Sequence, residues 1–261
     1  MNNIFDSHAH YSDSRFDINR DKLLMSLPEK GIRYVMLAST DEDSICKNCK
    51  IAEKYEYIYT AIGIHPSDIA KTSENYIEVM ENAFKSNPKV KAIGEIGLDY
   101  HYESYDREKQ IEFFCRQLEL ADKLNLPVII HSRDATEDTL NILKKYKPSG
   151  VMHCFSGSAE TAKEVLKLGM YVSFTGVLTY KNARKAIKAL TVIPNERLLL
   201  ETDCPYMMPV VTSVKFKERC SDSSMIPYIA EKAGEIKNMT AQQILDITCE
   251  NAMKLFRINN D

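Results

Sequence analysis

The chain has 261 residues, 44% hydrophobic and 27% charged, with 34 Lys and Arg against 37 Asp and Glu for a formal net charge of −3. That length suits one α/β barrel, and the composition is that of a soluble globular protein rather than a disordered or membrane-spanning one. The slight acidity excludes a global field for a polyanion, so any nucleic acid has to be held by positive potential confined to a cleft.

Met1-Asn2-Asn3 leads straight into an apolar strand, with neither a basic region nor a long apolar stretch. No signal peptide is expected, and the cytoplasm is the expected compartment. No apolar run approaches bilayer length, and no membrane or protein partner is implied. Short apolar runs then alternate with segments of helical period to the end of the chain. Strands are predicted over 4–10, 32–39, 57–64, 90–97, 127–132, 150–155, 170–175 and 197–202, rich in Val, Ile, Tyr and Phe as buried parallel strands are. Gly31, Gly150 and Gly169 are expected to close helices in the left-handed conformation just before strands. Cys46-Lys47-Asn48-Cys49 has the spacing of a redox pair or half a zinc site, but nothing else in the sequence completes either. Both thiols are expected on the inner side of a helix after the second strand. Seven cysteines, an odd number, also speak against a disulfide framework.

Within 106–124, Ile111, Phe114, Leu118, Ala121 and Leu124 recur at spacings of three and four, a core-facing helical stripe. Pro127 opens a strand, where its missing N–H does little harm. The segment 206–224, polar and carrying Lys215, Lys217 and Arg219, is long for a βα loop, and such loops are usually functional or mobile. Thr240-Ala241-Gln242-Gln243 resembles a capping box, and Ile244, Leu245, Thr248, Ala252, Leu255 and Phe256 supply the buried face of the last helix. Eight strands with helical connections predict a (β/α)8 TIM barrel, one domain over 1–261.

The chemistry collects at predicted strand ends. His8 and His10 alternate on the first strand and so point the same way. Glu95, His131, His153 and Asp203 stand at the ends of later strands, and His65 at another. Two neighbouring imidazoles in a barrel core are costly to bury without a ligand, and imidazoles with carboxylates are the usual ligands of catalytic divalent metals. A lone core histidine is ordinarily structural, but six such residues at one end of a barrel point to a metal-dependent hydrolase. Six ligands exceed what one tetrahedral ion with an open position takes, and they suit two ions. Glu95, with two oxygens, can bridge them. Asp203 can bind a metal and take a proton from water, so Glu95 and Asp203 are the catalytic candidates. Two divalent ions outweigh the two carboxylates, and the resulting positive pocket favours an anion such as phosphate. His65, Arg133 and Lys181 are candidate phosphate-binding residues. A helix-capping contact, a surface ion pair and a solvated lysine are their plainer readings.

Phe5-Asp6-Ser7-His8-Ala9-His10, Gly63-Ile64-His65-Pro66, Gly94-Glu95-Ile96-Gly97-Leu98-Asp99-Tyr100, Leu126 to Arg133, His153-Cys154-Phe155-Ser156-Gly157 and Glu201-Thr202-Asp203-Cys204-Pro205-Tyr206 resemble the motifs of TatD-family metal-dependent deoxyribonucleases. The similarity runs from about residue 4 to Asn251-Ala252-Met253-Lys254-Leu255-Phe256. The resemblance implies a barrel of the amidohydrolase superfamily that hydrolyses phosphodiesters. It also implies His8, His10, Glu95, His131, His153 and Asp203 as the metal ligands. After Met207-Met208-Pro209 the chain departs from the family, because Val210 to Ser224 lacks its Arg-Gly and Asn-Glu-Pro elements. That departure bears on substrate choice rather than on the metals.

The expected activity is hydrolysis of a phosphodiester, with DNA as the substrate, at ends or in single strands. No aromatic–basic stripe is evident for gripping a long duplex. The donors suit Zn, Mg or Mn as the two ions. Two rivals are weighed against it. One is hydrolysis of a carboxyl ester, such as an aminoacyl-tRNA, or of a C–N bond on the same centre. The other is a nucleic-acid-binding scaffold with structural metals, against which the water-activating carboxylate speaks.

Overall fold

Eight strands run parallel to their neighbours in one sheet, in chain order. They are β1 (Ile4–Ala9), β2 (Ile32–Ala38), β3 (Ile58–Ile62), β4 (Val90–Asp99), β5 (Val128–Arg133), β6 (Gly150–Met152), β7 (Tyr171–Phe174) and β8 (Leu198–Leu200). The computed structural model describes residues 1–102, 104–210 and 220–259, so Lys215, Lys217 and Arg219 lie outside the described residues. Parallel neighbours need crossover connections, and helical structure follows every strand. The sheet curls round until β8 meets β1. Asp203 N–H donates to His8 O at 2.9 Å, His10 N–H donates to Cys204 O at 2.8 Å, and Ala9 bridges Cys204 in parallel. The barrel is thus closed by the segment that carries Asp203, so closure and delivery of that carboxylate are one event.

Inside, Phe5, Met36, Ala61, Ala92, Ile129, Val151, Tyr171 and Leu199 supply one residue from each strand to a cluster with Cys249, Ala252, Leu255 and Phe256. Those last four lie on the helix Ala241–Phe256, which starts with the expected capping box at Thr240 and Gln243. The Phe5 and Phe256 rings stand 5.9 Å apart, so this helix closes one end of the barrel. Further along the same strands come the polar candidates, which occupy the other end. A larger apolar cluster fills the space between strands and outer helices. Among the described residues no helix is long and apolar enough to cross a membrane.

Several local expectations are corrected. β6 and β8 stop early, at Met152 and Leu200, and shortly after them Cys154 and Asp203 take φ values of 42° and 55°. Left-handed residues of this kind leave the ladder and turn side chains to new directions. β4 instead runs on to Asp99, with Gly97 at a φ of 146° where a Cβ would stand 1.9 Å from His131 O. Only glycine permits that approach. Gly31 and Gly169 have the expected positive φ, but before β6 it is Lys147, not Gly150, that is left-handed. Gly150 begins the strand itself, and a Cβ there would meet Val128 O at 2.4 Å.

Of the cysteine pair, Cys49 packs against the core as expected, but Cys46 does not face inward. The helix Glu42–Lys54 buries Ile45, Asn48 and Ala52, while Cys46 is exposed and Cys49 half-buried. Cys46 lies one residue, about 100°, off the inward stripe. The stripe's polar member has a use: Asn48 Nδ2 donates to Ala38 O at 3.1 Å and to Ser39 Oγ at 3.0 Å, fixing the end of β2.

Candidate metal centre

Glu95 stands at the middle of the site, and its two oxygens face two different sets of imidazoles. Oε2 is 3.3 Å from His8 Nε2 and 3.6 Å from His10 Nε2. Oε1 is 2.8 Å from His153 Nε2 and 2.9 Å from His131 Nδ1. Asp203 belongs to the first set, with Oδ1 3.2 Å from His10 Nε2 and 3.6 Å from His8 Nε2. The rings of His8 and His153 stack at 4.1 Å and join the two sets. All six predicted ligands are therefore brought together. His10 lies one residue beyond β1 and reaches the cluster because its backbone is pinned to Cys204 O.

The hydrogen bonds at the far side of the His10 and His131 rings test whether these donors fit a metal, while the buried His8 Nδ1 has no hydrogen-bond partner among the described residues. His10 Nδ1 is 3.1 Å from Ala38 O, so it carries the proton and leaves the Nε2 lone pair directed at Glu95 and Asp203. His131 Nε2 lies 3.2 Å from Asp99 Oδ2, which puts its proton there and frees Nδ1 toward Glu95. Beneath His153, Glu201 Oε1 is 3.4 Å from Nδ1. Ordered lone pairs converging with two carboxylates fit divalent cations.

Two further groupings place donor atoms within 4.8 Å of one another, His65 with Glu95 and His131, and Glu201 with His8 and His153. Neither enlarges the ligand set. His65 Nδ1 accepts from Ser67 N–H at 3.1 Å, so Nε2 holds the proton and is a donor, 3.5 Å from Glu95 Oε1. Glu201 is fully buried and its oxygens are taken, Oε1 by Cys154 N–H at 2.6 Å and Oε2 by Ser173 Oγ at 2.6 Å.

Burial opposes charge on each of these groups, and the neighbours decide the result. For Glu95, the raised imidazole of His153 and the hydrogen bond from His131 outweigh burial and hold the carboxyl well below its ordinary range. For Asp203, burial is likewise overcome, by the hydrogen bond from His10 and by His8, and its pKa is lowered. Burial depresses His153 as well, but Glu95 and Glu201 lift it well above the usual imidazole value. His10 and His131 are lifted against burial by Asp203 and by Asp99 with Glu95. Burial, with His131 adding to it, drives His65 down to about 3, so this ring is a neutral donor. An entering cation takes the place of protons on the raised imidazoles.

Four residues that support the site were not singled out in the sequence. Asp99 and Glu201 sit at strand ends already rich in candidates, and a second carboxylate close to the first, four residues after Glu95 and two before Asp203, was the available signal. Gln110 and Gln117 are seven apart on the helix Arg107–Leu124, polar interruptions of its buried face. Gln110 holds the backbone N–H and C=O of Asp99, each at 2.8 Å, and Gln117 holds those of Ile64 at 2.7 and 3.1 Å. One helix thus fixes the segments bearing Asp99 and His65. We predict that Asp99→Asn weakens metal binding about 10–100-fold by releasing the His131 tautomer. Chelator competition on purified protein measures this, and an unchanged affinity would show that packing alone orients His131.

The site opens into a cavity of about 670 Å³ whose lining includes His10, His65, Glu95, His131, His153, Asp203 and Arg133. Lys181 is exposed and is not part of that lining. After the short β7, the turn Gly176–Thr179 carries the chain over the rim, so Val177 borders the cavity and Lys181 falls beyond it.

Residues 5–257 match the family model described as TatD related DNase. A Bacillus subtilis protein named uncharacterized metal-dependent hydrolase YabD is 41% identical over 98% of this chain and 100% of its own length. The protein named 3'-5' ssDNA/RNA exonuclease TatD of Cronobacter sakazakii is 32% identical, covering 98% of each chain. Among solved structures, the Escherichia coli K12 TatD homolog YJJV superposes with a TM-score of 0.91 at 28% identity, covering 98% of this chain and 99% of that one.

Proposed function

The chain belongs to the TatD related DNase family and is a metal-dependent hydrolase, and from this we propose that it cleaves phosphodiester bonds of nucleic acid in the cytoplasm, acting on DNA ends or single strands. The observation that carries the reading is the two-sided Glu95, with His8 and His10 on one oxygen and His131 and His153 on the other. The name of the Cronobacter sakazakii relative supports a single-stranded nucleic acid as the substrate. His8, His10, Asp203 and one oxygen of Glu95 would hold one divalent ion, and His131, His153 and the other oxygen a second. When bound, the pair supplies charge that polarises a phosphoryl oxygen and lowers the pKa of a water toward neutrality.

The protein's own groups divide the remaining work. Asp203, kept ionised by His10 and His8, accepts a proton from the attacking water. As the new P–O bond forms and the ester P–O bond breaks, Asp203 can return that proton to the departing oxygen. Neutral His65 offers its Nε2–H to a phosphate oxygen, and Arg133 at the rim of the cavity adds a fixed positive charge. The test is turnover by protein loaded separately with Zn, Mn or Mg on single-stranded DNA, duplex DNA, RNA and small carboxyl esters. We expect metal-dependent cleavage of single-stranded DNA that a chelator abolishes. Turnover of a carboxyl ester with no cleavage of any phosphodiester would replace this reading by the ester-hydrolase one.

A further inference from the structure

Three tyrosines are exposed among the described residues, Tyr102, Tyr105 and Tyr206, and two of them line the mouth of the cavity. Tyr206 is 48% exposed and meets the His10 ring edge-on at 6.2 Å. Arg15 Cζ lies 4.2 Å from its ring centroid, and Arg15 is itself held by a two-point pair with Asp13 at 2.8 Å. Tyr102 is 58% exposed, and Arg133 Cζ lies 5.5 Å from its centroid. Both rings are therefore partnered by a cation, which the negative face of an aromatic ring attracts, and both keep a large exposed area. An exposed aromatic beside fixed positive charge is the usual means of holding a base and its phosphate.

Their places in the barrel give the pair its meaning. Tyr206 follows β8 at the seam with β1, and Tyr102 follows β4 beside β5. In a closed sheet of eight strands these two seams lie across the barrel from one another, with the Glu95 cluster between them. We propose that Tyr206 and Tyr102 are base-stacking platforms on opposite sides of the metal centre, each taking one base of a single-stranded nucleic acid whose intervening phosphate lies over Glu95. This inference rests on the nuclease reading and extends it. A duplex keeps its bases stacked on one another and cannot offer both to the rings, so the platforms select single strands.

The absence of tryptophan from the chain makes the test direct. In Tyr102→Trp or Tyr206→Trp the new indole is the sole one, and it keeps a stacking face. Titrating either metal-loaded variant with nuclease-resistant phosphorothioate oligothymidylate should quench that fluorescence, while an abasic chain of equal length should not. In steady-state assays, Tyr102→Ala and Tyr206→Ala should each raise KM for single-stranded DNA by about ten-fold and reduce the preference for base-bearing over abasic substrate. The platforms are overturned if neither indole is quenched, or if both alanine variants keep the wild-type KM. Cleavage without quenching would leave the nuclease reading intact and remove the platforms. Quenching without any cleavage would keep the platforms and remove the nuclease reading.

Discussion

Asp203→Asn is expected to lower kcat by about 10²–10⁴-fold while KM for single-stranded DNA stays near the wild-type value. The substitution keeps the shape of a residue that is only 8% exposed and removes its charge and its ability to accept a proton. The loss falls on the transition state because the proton leaves water only as the new bond forms. The backbone consequence is small, since the closing bond from Asp203 N–H to His8 O at 2.9 Å does not involve the side chain. Steady-state kinetics on a labelled oligonucleotide give both constants. A wild-type kcat with a raised KM would reassign Asp203 to substrate binding.

Glu95→Gln is expected to remove more than half of the metal content of dialysed protein and to cut kcat/KM by more than about a hundred-fold, beyond the effect of a supporting residue. An amide has one oxygen to offer where the two imidazole sets require two. It also removes the charge that lifts His153 and His131 against their burial, so the variant's rings return toward neutrality. The cluster therefore does not lose its metals to added protons, and the missing bridge is the cause under test. Elemental analysis with parallel kinetics checks both parts. Retention of the full metal content would show that the two ions, if both bind, do not share Glu95.

The sequence by itself determined the barrel and most of the centre. Strand and helix periods are local, so 32–39, 90–97 and the stripe Phe114, Leu118, Ala121 could be read directly. The donors were legible because ligands of one ion class recur at strand ends, where a parallel barrel gathers them. Only the tertiary structure decided which atom of each ring faces inward. His131 turns Nδ1 to Glu95 because β4 runs on past Gly97 and sets Asp99 against Nε2. His65 proved a donor because of a bond to Ser67 N–H that no spacing rule contains. Gln110 and Gln117 carry no signal in the apolar period, and only the docked helix shows them holding Asp99 and Ile64. For Lys181 the sequence left a phosphate-binding residue and a solvated lysine both open, and the turn Gly176–Thr179 places it exposed outside the cavity lining. In each case the deciding partner is remote in sequence or set by a turn, and its position follows from strand register and closure at Asp203 rather than from any local period.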